Sequence, residues 1–82
     1  DMVYEGEYPV IDMTAFGKNL KRICQEKEIS AKMLQEFLHL GTIQAVYLWF
    51  RGERLPSLDN FYAISKYLQV EMNELLHPND KL

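Results

Sequence analysis

At 82 residues, 48% of them hydrophobic, the chain suffices for one domain with its own apolar core, near the lower limit at which a core works without staples. The longest unbroken apolar run, residues 45–50, falls far short of the roughly 20 residues needed to cross a bilayer. The single Cys24 excludes an internal disulfide and any metal site built on paired thiolates, and the first residues lack a basic start and an apolar signal region, so a cytoplasmic location is expected.

The net charge of -3 is unevenly spread. Residues 1–12 hold Asp1, Glu5, Glu7 and Asp12 with no base, a balance of -4. Residues 13–58 hold Lys18, Lys21, Arg22, Lys27, Lys32, Arg51 and Arg54 against Glu26, Glu28, Glu36 and Glu53, a balance of +3. Residues 59–82 return to -2, with Lys66 and Lys81 against Asp59, Glu71, Glu74 and Asp80. Any anionic partner therefore meets the middle of the chain, and so modest a positive balance implies binding that fades quickly with salt.

In chain order, residues 1–12 read as an extended arm, its β-type residues interrupted by Gly6 and Pro9. Tyr4, Tyr8, Val10 and Ile11 are expected to pack against something. A domain follows over residues 13–77, with a short tail at 78–82. The first helix is capped by Thr14 and carries Phe16, Leu20, Ile23 and Cys24 on one face, leaving Lys18, Lys21, Arg22 and Gln25 outside. Cys24 on that face reads as a small core residue rather than a reactive thiol.

Ser30 caps a second helix, 31 to about 39, with Leu34, Phe37 and Leu38 inward, after which Gly41 turns the chain. Thr42 caps a third helix, about 43–51, on which Ala45, Val46 and Trp49 share one side and Ile43, Gln44, Tyr47 and Arg51 the other, with Phe50 on the border. Propensity alone would also allow residues 45–50 as a buried strand. The capped start and the stop at Arg51-Gly52 favour the helix. Ser57 caps a fourth helix with Phe61, Ile64 and Leu68, joined by Leu58 and Tyr67, on its apolar stripe. A last helix starts at Val70-Glu71, carries Met72, Leu75 and Leu76, and ends at His77-Pro78, with Lys81 and Leu82 expected to be mobile. The fold class expected is all-α: five helices with an extended N-terminal arm.

The set Phe16-Gly17-Lys18-Asn19-Leu20-Lys21, Ile29-Ser30, then Val46, Trp49 and Gly52, then Leu55-Pro56-Ser57-Leu58-Asp59-Asn60, with Val70 and Leu75-Leu76, resembles the Cro and lambda-repressor-like helix-turn-helix domain of the XRE family. The resemblance spans about residues 13–76. It implies a bacterial or phage transcriptional regulator that inserts the third helix in the major groove of double-stranded DNA. Four departures stand out: Ala31 where glutamine is common, a 38–42 turn one residue longer than usual, and apolar Leu48 and Phe50 in place of polar residues. The last two imply an unusually apolar exposed edge on the third helix.

By position in that resemblance, Gln44 is the residue expected to read a base, because its amide can both donate to and accept from adenine. Ile43 and Tyr47 are placed to press on a thymine methyl or, through the phenol, to reach a phosphate; burial of Tyr47 against the second helix is the alternative. Leu48 lies on the same surface. Thr42 is positioned for a phosphate contact at the helix start. Arg51 and Arg54 bracket the following turn and suit backbone phosphates, as do Lys32 and either Lys21 or Arg22 on the flanks.

No catalytic constellation is visible. His39 and His77 lack partners at metal spacing, Glu26 and Glu28 lack an apolar pocket, and no glycine loop cradles phosphate, so neither enzymatic activity nor a cofactor or small-molecule substrate is expected. The rival to a DNA reader is a protein-interaction module, antitoxin-like or antirepressor-like, using the third-helix surface through Leu48, Phe50 and Ala31 with help from the acidic arm. One recognition helix covers few base pairs, so a homodimer on a palindromic site is expected, joined through the arm or the surface around the fifth helix.

Overall fold

The computed structural model describes residues 2–76, which form five helices and, among those residues, no strand: α1 Met13–Glu26, α2 Ala31–Leu38, α3 Gln44–Phe50, α4 Leu58–Leu68 and α5 Met72–Leu76. The amphipathic spacings explain why they assemble. Phe16, Leu20, Ile23 and Cys24 of α1, Leu34 of α2, Val46 and Trp49 of α3, Phe61, Ile64 and Leu68 of α4 and Leu75 of α5 are all buried in one core. Burial of each large apolar side chain contributes on the order of 1.5–3 kcal/mol. Helix α1 packs on α3 and α5, α2 packs on α3 and α4, and α4 meets α5. Two neighbours thus hold α3 from within and leave its outer face free.

Local chemistry sets the helix starts. Ser30 accepts from the Met33 amide at 3.1 Å, and the Met33 sulfur in turn faces the Ser30 amide at 3.5 Å. Ser57 accepts from the Asn60 amide at 3.2 Å. The expected Thr14 cap is replaced by Asp12, whose carboxylate accepts from the Ala15 amide at 3.0 Å, so Thr14 lies inside the first turn. An acceptor one residue before the first helical residue reaches the orphan amides, whereas one inside the helix cannot.

The helix ends share one device. After α1, α2, α3 and α4, a residue with positive φ (Glu28, 59°; His39, 56°; Gly52, 74°; Gln69, 58°) turns the chain. Its amide returns to a carbonyl three residues back, and the next amide to one five back: Glu28 to Gln25 and Ile29 to Cys24; His39 to Glu36 and Leu40 to Gln35; Gly52 to Trp49 and Glu53 to Leu48; Gln69 to Lys66 and Val70 to Ser65. This pair of bonds satisfies carbonyls that would otherwise be orphaned. Only one of the four left-handed residues is a glycine. The expected turn at Gly41 is therefore made by His39, and Gly41 itself lies outside the left-handed region.

Other expectations are corrected. Phe37, expected to point inward, is 43% exposed and instead stacks on Tyr67 with ring centroids 4.1 Å apart. Leu58 is 75% exposed because it is the first residue of α4, ahead of the turn that meets the core. The arm side chains expected to pack stay exposed, Tyr4, Tyr8 and Val10 at 70% or more; only Ile11 approaches the body, at the rim of an apolar groove of about 500 Å³ that also takes in Phe16, Leu55, Phe61, Met72 and Leu76. The fifth helix begins at Met72, with Val70 in the turn before it and the Glu71 carbonyl accepting from the Leu75 amide. The stop at His77-Pro78, the 78–82 tail and its residues Lys81 and Leu82 lie outside the described residues.

Candidate nucleic-acid interface

The residues predicted to meet a ligand fall on α3 and its flanks, and two close backbone approaches fix where α3 sits. Gly17 of α1 lies against the last turn of α3: a Cβ there would fall 2.4 Å from the Trp49 carbonyl oxygen and 2.5 Å from that of Phe50. Gly52, at φ 74°, lies against the start of α1, where a Cβ would meet the Thr14 Cα at 2.7 Å. Only a residue without a side chain permits backbones this close. The carboxyl end of α3 is thus pinned on α1, and its rotation follows from burial of Val46 (0% exposed) and Trp49 (3%).

With that rotation set, Gln44, Tyr47 and Arg51 are exposed and Ile43 is half-buried on the outer side. The Gln44 carboxamide has no partner among the described residues, so its donor and acceptor are both available. Thr42 is not the cap residue of α3. That position is Ile43, which supplies no side-chain bond, but the Thr42 hydroxyl still accepts from the Gln44 amide at 3.2 Å. Leu48 and Phe50, expected on an exposed apolar edge, are half-buried, and Phe50 packs against the core. Two of the residues that favoured a protein-binding surface on α3 are thus partly withdrawn from it.

Tyr47 is 39% exposed rather than buried against α2, and its ring meets that of Phe50 edge-on at 6.5 Å between centroids. Beyond the helix, the Arg51 guanidinium pairs through Nε with the Glu53 carboxylate at 2.9 Å, both side chains about half exposed. Such a surface pair is worth about 0–1 kcal/mol and yields easily to a stronger anion. Arg54 is exposed with no ion pair or hydrogen bond among the described residues, and so are Lys32 near the start of α2 and Lys21 on α1.

Unlike Lys21, Arg22 already has partners among the described residues. Its guanidinium donates to Asn19 Oδ1 at 2.6 Å and to Glu26 at 2.9 Å. Asn19, buried at 3% exposure, uses its amide to donate to the Glu74 and Leu75 carbonyls at 2.8 and 2.9 Å. Arg22 and Asn19 thus tie α1 to the end of α5, a structural role that sequence reasoning missed. It missed Glu53 as well, although an arginine and a glutamate flanking a single glycine in a tight turn is a readable signal. Gly17 also carried one, since a glycine inside a helix costs about 1 kcal/mol and implies a close neighbour. Cys24 is buried in the core, and burial pushes its thiol up to about 11. Among the described residues no group of three or more His, Cys, Asp or Glu could hold a metal ion, and no helix is long and apolar enough to cross a membrane.

Residues 20–75 match the HTH_3 helix-turn-helix family, so the match covers more than half of the chain. Among solved structures, the restriction-modification controller protein C.AhdI from Aeromonas hydrophila is similar, with 30% identity and a TM-score of 0.70, the match covering 78% of this chain and 96% of that one. The DNA-binding domain of BldD is similar in fold, with 20% identity and a TM-score of 0.66 over 79% of this chain and 93% of that one. No curated protein matches. The matched span takes in α2, the turn and α3 together with the core that orients them, and the chain belongs to the XRE-type helix-turn-helix family of DNA-binding transcription regulators.

Proposed function

We propose that the protein is a sequence-specific transcriptional repressor that binds double-stranded DNA as a homodimer, in the cytoplasm of a bacterium, with α3 laid in the major groove. The observation that carries this reading is the division of α3: Trp49 and Val46 sealed in the core, Gln44 outward with an unpartnered carboxamide. A bidentate amide contact to adenine contributes about 1–3 kcal/mol of discrimination. Ile43 offers a methyl-sized apolar contact beside it, and Leu48 fills the edge of the same surface. Arg54, Arg51, Lys32 and Lys21 supply phosphate contacts that fix register without reading sequence. The Thr42 hydroxyl, accepting from Gln44, keeps its proton for a phosphate oxygen.

Repression is the simplest outcome, because covering a promoter needs no further contact. A two-fold dimer doubles the bases read, and C.AhdI is itself a controller protein by its description. The test is a binding titration on operator variants selected from random duplexes. Arg54→Ala is expected to weaken binding on every duplex, and Gln44→Ala to alter preference at one base pair. Four cations per protomer predict a slope of log affinity against log salt of about -3.6 for each protomer bound. Equal losses for the two variants, or a duplex signal insensitive to salt, would overturn the reading. Retention of a protein partner at high salt without any duplex binding would favour an antitoxin-like or antirepressor-like module instead.

A further inference from the structure

We infer that Phe50 is a positioning residue: it holds the Tyr47 ring so that the phenol becomes a fixed hydrogen-bond donor to a DNA backbone phosphate. This rests on the DNA-binding reading above and names a contact within it. Phe50 is anchored twice, by its half-buried ring against the core and by its carbonyl pressed on Gly17. The backbone contact fixes where the residue sits, and the core contact restrains its ring. Tyr47, one turn earlier, leans on that ring edge-on, with 6.5 Å between centroids and 62° between planes. An aromatic pair in this geometry is favourable by itself and removes rotamers that a lone surface tyrosine would sample.

Tyr47 is 39% exposed, and its hydroxyl has no hydrogen-bond partner among the described residues. Phe50 follows Tyr47 by three residues, so the two side chains lie on one face of α3. Arg51, four residues after Tyr47, neighbours it on that face, with Arg54 beyond Gly52, whereas Gln44 stands one turn before it. A phenol O–H on the face that also carries Arg51 suits a phosphate oxygen rather than a base edge. Phe50 thus has a use on this surface although it touches no DNA itself.

The experiment is a double-mutant cycle read by duplex affinity at fixed salt, with thermal melting of each variant alongside. Tyr47→Phe keeps the ring pair and removes only the donor, so it is expected to weaken binding about tenfold on all duplexes alike. Phe50→Leu keeps an apolar side chain on the core and removes the ring that Tyr47 leans on, for an expected loss of about threefold. The double variant is expected to bind no worse than Tyr47→Phe alone, within about twofold, because freeing a ring that has lost its hydroxyl changes little. Phe50→Met serves as a second variant should Phe50→Leu fail to fold. Additive losses, an unchanged affinity for Tyr47→Phe, or a Tyr47→Phe loss confined to one A·T pair each overturn the inference while leaving the DNA reading intact. A wild-type protein that binds no duplex removes both.

Discussion

Replacing Gly17 by alanine tests whether the seating of α3 is as tight as the backbone distances indicate. A Cβ at that position would stand 2.4 Å from the Trp49 carbonyl oxygen, 2.5 Å from the Phe50 oxygen and 2.9 Å from the Phe50 carbonyl carbon. All three are main-chain atoms in the last turn of a helix, so no side-chain rotation relieves them. Ordinary contact requires α3 to retreat by about 1 Å, and overpacking of that kind costs about 3 kcal/mol at the upper end of its usual range. Alanine returns about 1 kcal/mol through its helix propensity. The net loss is about 2 kcal/mol, and for a domain of this size it lowers Tm by about 8–16 °C. Gly41→Ala is the matched control: nothing lies within 4 Å of a Cβ there and the residue is outside the left-handed region, so it should be neutral within about 0.5 kcal/mol or slightly stabilising. Circular dichroism melts of the two variants decide the matter. A Gly17→Ala protein melting at or above the wild type would refute the close approach, and with it the pinning of α3.

Glu53→Gln removes the carboxylate that holds Arg51 at 2.9 Å and should tighten duplex binding by about two- to fivefold at low salt while steepening the salt dependence, as read by titration at several ionic strengths. Gln69→Gly relieves a left-handed residue at φ 58° and should raise stability by about 0.5–1 kcal/mol, a gain of a few degrees in a melt. Burial raises the Cys24 thiol from 9.0 to about 11, so the folded state holds its proton more tightly than the unfolded state. The resulting stabilisation is complete below pH 9 and is lost between about pH 9 and 11 at roughly 1.4 kcal/mol per pH unit, which urea titrations against Cys24→Ala across that range would show as a converging difference.

The elements legible in the sequence were those written by periodicity. Phe16, Leu20, Ile23 and Cys24, or Phe61, Ile64 and Leu68, recur at the helical interval, and each of them is buried. Ser30 and Ser57 were legible as caps because a cap bond spans only three residues. Features set by distant neighbours were not. Phe37 and Leu58 share the spacing of core residues, yet nothing in a stripe says which of its members the opposing elements will cover, and both stay largely exposed. Thr14 and Asp12 are both competent caps, and the helix start at Met13 selects the aspartate. Glu28, His39 and Gln69 adopt left-handed geometry without being glycine, since the register of the flanking buried residues leaves the chain one position in which to turn.

The candidate site divides in the same way, and the division bears on its charge. Counting residues, the middle of the chain carries seven cations, as though all were equal claimants on an anion. The fold sorts them. Arg22 is committed to Asn19 and Glu26 at the seam with α5, and Arg51 is shared with Glu53, whereas Lys18, Lys21, Lys27, Lys32 and Arg54 remain without partners among the described residues, and of these Lys21, Lys32 and Arg54 belong to the proposed face. A surface with few free cations gains little affinity from phosphates alone. On the proposed reading, discrimination must therefore come from Gln44 and from two-fold repetition of the site, and small changes in the Arg51–Glu53 balance become a sensitive control on binding. A reader with a dense basic face would hold any duplex; this one should let go of nearly all.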